Sequence, residues 1–356
     1  MAVTTKGILF DCERMKYPHT GLYHFCKQLG QALALADHPL ASRLSFYIRE
    51  NEQGLFGEGA DYLRQHSLHK FILPSLSRFA VWHATYQGTM YYPFHRNIKV
   101  LLTIHDLNFM HEVNRPAHKK ERELKKLQRK IDRADTVVAI SQFVKEDILR
   151  HMNMRGKEIA VIYNGCNINT SLQPQPPAQL PSAGFIFSIG TITEKKNFHV
   201  LPALLRGNNL QLIIAGTVQQ QEYLDQIRAE ANALGVGDRV IITGPIDEAV
   251  KYWYLQHCTA FVFPSLMEGF GLPVIEAMSF GKPVFLSTCT SLPEVGGNQA
   301  FYFEQFDPAH MQSVFQQGMQ AFASGAIKVS DIQARAAYFS WQNAALQYLS
   351  LYEQLL

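Results

Sequence analysis

Glu268 and Glu276 lie either side of a glycine turn in the run FVFPSLMEGFGLPVIE, residues 261–276. Pro273 stands where a first helical residue belongs, with its φ preset and no N–H to lose. A helix opening after a glycine loop leaves backbone N–H groups and the positive end of its dipole facing that loop, which makes an anion site. The carboxylates repel phosphate, so their chemistry is to accept hydrogen bonds from hydroxyls. Phosphate in the middle with hydroxyls on both sides describes a nucleotide sugar. A second set fits the same ligand: Gly190 to Asn197 reads GTITEKKN, with Lys195 and Lys196 side by side. As two solvated lysines at a helix start they would oppose the dipole, which disfavours cations there. His105-Asp106 is the third candidate, directly after an apolar run; its alternative is a pair that only orders its loop.

These residues need strands that end at them. Thr259 to Phe263 is β-branched and aromatic without charge, and Pro264 stops it. The helix after the turn is expected over 274–280, ending at Gly281 with Pro283 just beyond. Strands are also expected over 185–189, 210–215, 240–243 and 284–287, and most run directly into Gly or Pro. Strand, glycine and helix in alternation imply a parallel sheet with its loops on one edge. The first half repeats the pattern, with strands expected over 7–10, 44–48, 81–84, 100–104, 136–140 and 159–162. Residues 21–36 carry Leu22, Phe25, Leu29 and Leu33 at helical spacing, and Ser141 caps a helix running to His151. GxGxxG is absent, which argues against a nicotinamide dehydrogenase. Residues 167–184 carry four prolines among polar residues and read as a linker. Residues 339–356 form a last helix with Trp341, Ala345, Tyr348, Leu349 and Tyr352 on one stripe.

Glu268, seven residues, then Glu276, with GFGLP between and PEVGG at Pro293 to Gly297, resembles the signature of family-four retaining glycosyltransferases of GT-B fold. The resemblance covers nearly the whole chain. It implies an α/β protein of two Rossmann-like, doubly wound domains facing a central cleft. Residues 1–166 with 340–356 would form the acceptor side, and 185–339 the donor side. By resemblance Glu276 holds the ribose hydroxyls and Glu268 those of the transferred sugar. Gly269, Phe270, Gly271 and Leu272 would face the donor's sugar and diphosphate. Gly190 opens the turn to Lys195 and Lys196, where many members have Arg at the first; Lys keeps the charge without the bidentate fork. Lys196 matches the diphosphate contact, Ile246 lies in the stretch Gly244-Pro245-Ile246 that reads the base, Gly21 opens the first helix beside the reacting sugar, and His105 lies beside the donor sugar. The implied catalytic set is His105, Glu268 and Lys196, with no side-chain nucleophile. The GTxxxxKN form and the HDL loop are similar to GDP-mannose users of bacterial surface polysaccharide assembly, with UDP-glucose and UDP-N-acetylglucosamine as the other donors.

Composition sets the limits. A chain of 356 residues suits two domains, and a net charge of +3 gives no case for nucleic acid. Five scattered cysteines without CxxC fit reduced thiols and a cytoplasmic setting. The N-terminus lacks a leader pattern, and no apolar run is long enough to span a bilayer. No metal site or cofactor is expected: DxD is absent, and His111-Glu112 lacks the second histidine of HExxH. A GT-B phosphorylase would carry lysine-bound pyridoxal phosphate, for which this chain is short. A nucleotide-sugar-binding partner subunit would keep Glu276 but need neither His105 nor Glu268. The basic charge is concentrated: residues 115–133 hold nine Lys or Arg against three acids. Lys119, Arg122, Lys126, Arg129 and Arg133 form a basic stripe opposite Leu124, Leu127 and Ile131. That stripe is either a solvated face or a docking face for anionic lipid, placing the enzyme peripherally on the inner membrane face.

Overall fold

The computed structural model describes residues 6–18, 20–94, 97–112 and 114–356. The five residues at the N-terminus, part of the stretch in which no leader pattern was read, lie outside the described residues. The chain divides into two units, residues 1–167 with 339–356, and residues 168–338.

The first unit is a parallel sheet. Its strands are β1 (Gly7–Asp11), β2 (Leu44–Ile48), β3 (Asp61–Arg64), β4 (Phe79–Ala84), β5 (Lys99–Ile104), β6 (Thr136–Ala139) and β7 (Ile159–Val161). They lie in the order β3-β2-β1-β4-β5-β6-β7. The inner strands are apolar because helices cover both faces. Phe10 pairs in register with Phe46 on one side and His83 on the other. β3 was not expected: DYLR is short, half-exposed and without an apolar run. Helix Gly21–Ala34 is capped by Thr20, whose side chain accepts the Tyr23 N–H. Ser141 caps Gln142–His151 in the same way, through Val144 N–H.

The last helix, Trp341–Leu355, buries Trp341, Ala345, Tyr348, Leu349 and Tyr352. Its attachment is polar as well as apolar. His83 Nδ1 lies 2.6 Å from the Tyr352 hydroxyl and His83 Nε2 lies 2.8 Å from Thr103 Oγ1. Thr103 Oγ1 lies 3.0 Å from the Tyr348 hydroxyl. Burial holds the His83 imidazole neutral, its pKa pushed down to about 3. A neutral network avoids the cost of a buried charge, and every member finds a partner.

The second unit is also parallel. Its strands are β8 (Phe185–Ile189), β9 (Gln211–Ala215), β10 (Val240–Gly244), β11 (Ala260–Phe263), β12 (Val284–Ser287) and β13 (Phe301–Phe303), in the order β10-β9-β8-β11-β12-β13. Ile186, Ile214, Val262, Leu204, Ile227 and Phe285 are among its core residues. β13 has three residues and no sequence pattern of its own; the Phe285 ring packs on Phe301 and Phe303 at 4.9 and 6.1 Å. The proline-bearing stretch bonds to this unit. Asn169 N–H donates to the Tyr252 hydroxyl at 2.8 Å, and Gln175 N–H to the Ala249 carbonyl at 3.0 Å.

The basic helix is Ala117–Arg133, and its charges are divided. Lys130 turns inward, its ammonium donating to the carbonyls of Gln87 and Thr89 at 2.7 and 2.6 Å. Arg133 donates to the carbonyls of Pro93 and Ile98 at 3.2 and 2.6 Å. The basic stripe is not free of acidic partners. Glu123 reaches Lys126, three residues on and so its neighbour on the helix, at 3.0 Å, and the adjacent Arg122 at 3.5 Å. Among the described residues no helix is long and apolar enough to cross a membrane.

Tyr352→Phe leaves a His83 nitrogen buried without its partner, so the variant should lose about 1–3 kcal/mol of stability in urea. An unchanged urea midpoint at the same slope would mean that the network does not hold the last helix.

Candidate active site

In the second sheet β8 lies beside β11, and the chain leaves them toward opposite edges. Loops at such a reversal part company and leave a crevice at the carboxyl ends of the strands. Two turns line it. After β8 comes Gly190, then a 3-10 turn Glu194–Lys196, then Asn197 in the left-handed region. The helix expected here starts later and is a 3-10 coil, Phe198–Leu205, with Pro202 inside it. The lysines therefore end a short turn and do not head a helix. After β11 comes the loop to Gly271, and helix Leu272–Ser279 begins two residues before the expected 274, with Pro273 second. Gly271 sits at φ +106°, and a Cβ there would lie 2.9 Å from Leu292.

Lys196 and Glu268 meet across this crevice as a nearly buried ion pair, Nζ against Oε1. The Lys196 ammonium also lies 4.8 Å over the Phe263 ring. Both loops are braced. Leu266 N–H donates to the Lys195 carbonyl at 2.8 Å, and Ser265 Oγ to the same carbonyl at 3.2 Å. Glu268 N–H donates to Thr290 Oγ1 at 3.1 Å, and Ser291 Oγ donates to the carbonyls of Glu268 and Phe270. Thr290 has φ +57°, a costly conformation for a β-branched residue, and holds the loop of the glutamate. The strand ends are zipped too: Gly190 N–H donates to the Ala215 carbonyl and Gly216 N–H to the Gly244 carbonyl. A Cβ on Gly216 would lie 1.9 Å from the Gly190 oxygen, so only glycine permits that approach. Asn197 is buried, and its side-chain nitrogen finds no acceptor among the described residues.

Glu276 is buried in its helix, and Lys251 Nζ reaches its Oε2 at 2.9 Å. Lys251 belongs to helix Glu248–His257, which follows β10 and the half-buried Ile246. Lys251 was missed because it lies 25 residues before Glu276 and no local pattern ties its helix to that glutamate.

His105 and Gly21 belong to the first unit. Gly21 is exposed at the head of its helix, and Phe25 of that helix meets the His105 ring edge-on at 4.5 Å. His105 Nε2 lies 2.8 Å from the Thr85 carbonyl, which can only accept, so the proton is on Nε2 and Nδ1 keeps its lone pair. Burial pushes the His105 pKa down to about 4, and the Arg14 charge adds to this. Its backbone N–H donates to Gln87 Oε1 at 3.0 Å. Asp106 Oδ1 accepts the Asn108 N–H at 3.0 Å. Nearby, at the end of β1, Asp11 is fully buried with Thr89 and the Glu13 N–H on its two oxygens. Burial first, then Glu13, raises its pKa to about 7. Among the described residues no group of His, Cys, Asp and Glu could hold a metal ion, and all five cysteines are free thiols.

Two families match the chain: "Glycosyl transferases group 1" over residues 174–317 and "Glycosyltransferase Family 4" over residues 42–170. The first spans all six strands of the second sheet and both turns of the crevice, and the second spans β2 to β7 of the first sheet. The chain is a group 1, family 4 glycosyltransferase. It is 28% identical to the O-antigen chain mannosyltransferase B of Escherichia coli, over 98% of this chain and 100% of that one. Sucrose-phosphate synthase from Thermosynechococcus elongatus superposes with a TM-score of 0.77 at 22% identity, covering 99% of both chains. Anabaena Alr3699/HepE, solved with UDP and glucose, superposes with a TM-score of 0.74 at 17% identity, covering 98% of this chain and 100% of that one. The transferase has the GT-B fold.

Lys251→Met should strand the Glu276 carboxylate and destabilise the glycosyltransferase by about 3 kcal/mol, the lower end of the cost of halving a buried pair. Adding Glu276→Gln should return most of that loss in urea unfolding. Additive losses would mean that the two side chains do not depend on each other.

Proposed function

We propose that this glycosyltransferase moves a hexose, mannose in the favoured reading, from a nucleotide sugar to a hydroxyl of a saccharide or lipid-linked saccharide, retaining the anomeric configuration. The observation that carries the reading is the crevice between β8 and β11, where Lys196 meets Glu268 with Glu276 on the helix behind. Lys195, Lys196 and the amides of Gly269 to Leu272 face the diphosphate. Glu268 takes the hydroxyls of the sugar and Glu276 those of the ribose. Ile246 lies at the base, and Gly190 and Gly21 let backbone approach the donor. The reacting bond is that between the anomeric carbon and phosphate oxygen; the acceptor oxygen takes its place on the same face and its proton passes to the leaving phosphate. Charge therefore develops on the diphosphate, where Lys196 and the helix N-terminus stabilise it. A diphosphate must share Lys196 with Glu268, which loosens the glutamate for the sugar as the donor arrives. Neutral His105 accepts a hydroxyl at Nδ1.

The similarity to a mannosyltransferase along 98% of the chain supports mannose. A second reading, a UDP-sugar donor, is favoured by the UDP bound to the Anabaena protein. The test is donor-dependent release of nucleoside diphosphate with GDP-mannose, UDP-glucose and UDP-N-acetylglucosamine. Release from GDP-mannose alone is expected; binding without release from any of them identifies a partner subunit. Glu276→Gln should weaken donor binding by about 1.5–3 kcal/mol, the worth of a hydrogen bond to a charged group.

Lysines and helix dipole do the work of a divalent cation in this scheme, so no cofactor is proposed. Turnover should persist in EDTA; loss of turnover restored by magnesium or manganese would refute the scheme.

The setting proposed is the inner face of the cytoplasmic membrane. Lys119, Arg122, Lys126 and Arg129 are exposed, and each cation near an anionic surface contributes about 1 kcal/mol before Glu123 offsets part of it. Wild type should sediment with anionic vesicles at low salt, and the variant with all four as Gln should not. Equal sedimentation of both would remove this role from the helix.

A further inference from the structure

Arg14 lies in the 3-10 turn Glu13–Lys16 directly after β1. Its guanidinium carbon lies 4.7 Å from the ring centre of Tyr17 and 4.7 Å from that of Tyr86, the latter just after β4. β1 and β4 are the neighbours at which the first sheet reverses its order. Ligands of open parallel sheets collect at that place, outside the carboxyl ends of the strands. The two rings hold the cation without using its N–H groups, whose planar fork suits a two-pronged oxyanion.

The partner inventory is what sets Arg14 apart. Among the described arginines of the first unit, Arg43 and Arg133 donate to carbonyls. Arg64, Arg78, Arg115, Arg122 and Arg155 pair with carboxylates. Arg49, Arg129 and Arg150 are exposed to water. Arg14 is half-buried, and its guanidinium reaches neither a carboxylate nor a carbonyl among the described residues; its Nε is buried without any acceptor. The two rings attract the cation through their faces, but they satisfy none of the in-plane donors.

We propose that Arg14 binds an oxyanion of the acceptor, a phosphate joining the saccharide to its carrier or the carboxylate of an acidic sugar. The assignment to the acceptor rests on the function proposed above; the oxyanion site itself does not. Placed beside His105, whose Nδ1 lone pair is open to a hydroxyl, the guanidinium would hold the charged part of the acceptor at the sheet edge. The ring clamp presets its orientation, so little side-chain entropy is lost on binding.

The experiment is calorimetric titration, without donor, of geranyl diphosphate, inorganic pyrophosphate and glucuronate into wild type, Arg14→Gln, Arg14→Lys and Lys196→Gln. At least one probe should bind wild type and Lys196→Gln alike, lose at least tenfold in affinity in Arg14→Gln, and lose less in Arg14→Lys, which keeps the charge without the fork. Tight binding of both phosphates identifies a phosphate linkage; tight binding of glucuronate identifies an acidic sugar. Circular dichroism establishes that each variant is folded, with Arg14→Lys standing in if Arg14→Gln is not. The proposal is overturned if no probe binds wild type, if Arg14→Gln binds as wild type does, or if the loss falls on Lys196→Gln instead. Because no sugar is transferred in this measurement, its outcome is independent of whether the transferase reading holds.

Discussion

A carboxylate taken almost wholly out of water must be matched by a cation, and the second domain contains this demand twice. Glu268 and Glu276 sit on one loop and its helix, yet their lysines come from different places: Lys196 from the turn after β8, Lys251 from the helix after β10. An unmatched carboxylate would cost several kcal/mol, so both elements must dock on the glutamate helix before either charge is tolerable. The geometry of the crevice and the packing of the domain are thereby one problem. The pairs also explain the rigidity around them, from the Ser291 and Thr290 braces to the glycine contact between Gly216 and Gly190.

The first domain meets its buried polar groups differently. His83, Thr103, Tyr348 and Tyr352 form a neutral chain under the last helix, and His105 is held neutral by burial and by its bond to Thr85. Neutral groups escape the Born cost and still fix direction, because each hydrogen bond demands a particular tautomer or rotamer. Glu13, Arg14, Lys16 and Lys130 gather at the carboxyl ends of the strands, around the buried Asp11, whose pKa burial raises to about 7. Lys130 shows how the basic helix serves the interior as well as the surface: its ammonium braces the loop that carries Gln87, and Gln87 holds the His105 backbone. Burial lowers the Lys130 pKa to about 8, with Glu13 and Asp11 opposing that shift.

The alternation of apolar runs with glycine turns was enough to read two parallel sheets, because a strand, its stop and a helix start are all decided within a few residues. The same holds for the glutamate pair with GFGLP between them: one turn of helix and one loop contain the whole pattern. The caps at Thr20, Ser141 and Ser340 are local in the same sense. β3 and β13 escaped because an edge strand of three or four half-exposed residues has no period to detect; its partner strand defines it.

Tertiary structure alone decided who meets whom. Lys196 and Glu268 are 72 residues apart, Lys251 and Glu276 are 25 apart, and the rings clamping Arg14 come from opposite sides of the order reversal. Likewise a helical wheel puts Lys130 and Arg133 on a helix but not beneath a loop, and it counts Glu123 without bringing it to Arg122 and Lys126. The physical reason is range. Propensity, capping and turn chemistry act over one or two turns, so they are written in neighbouring residues. Ion pairs and ring clamps depend on sheet order and on the burial that comes with it, which no spacing along the chain records.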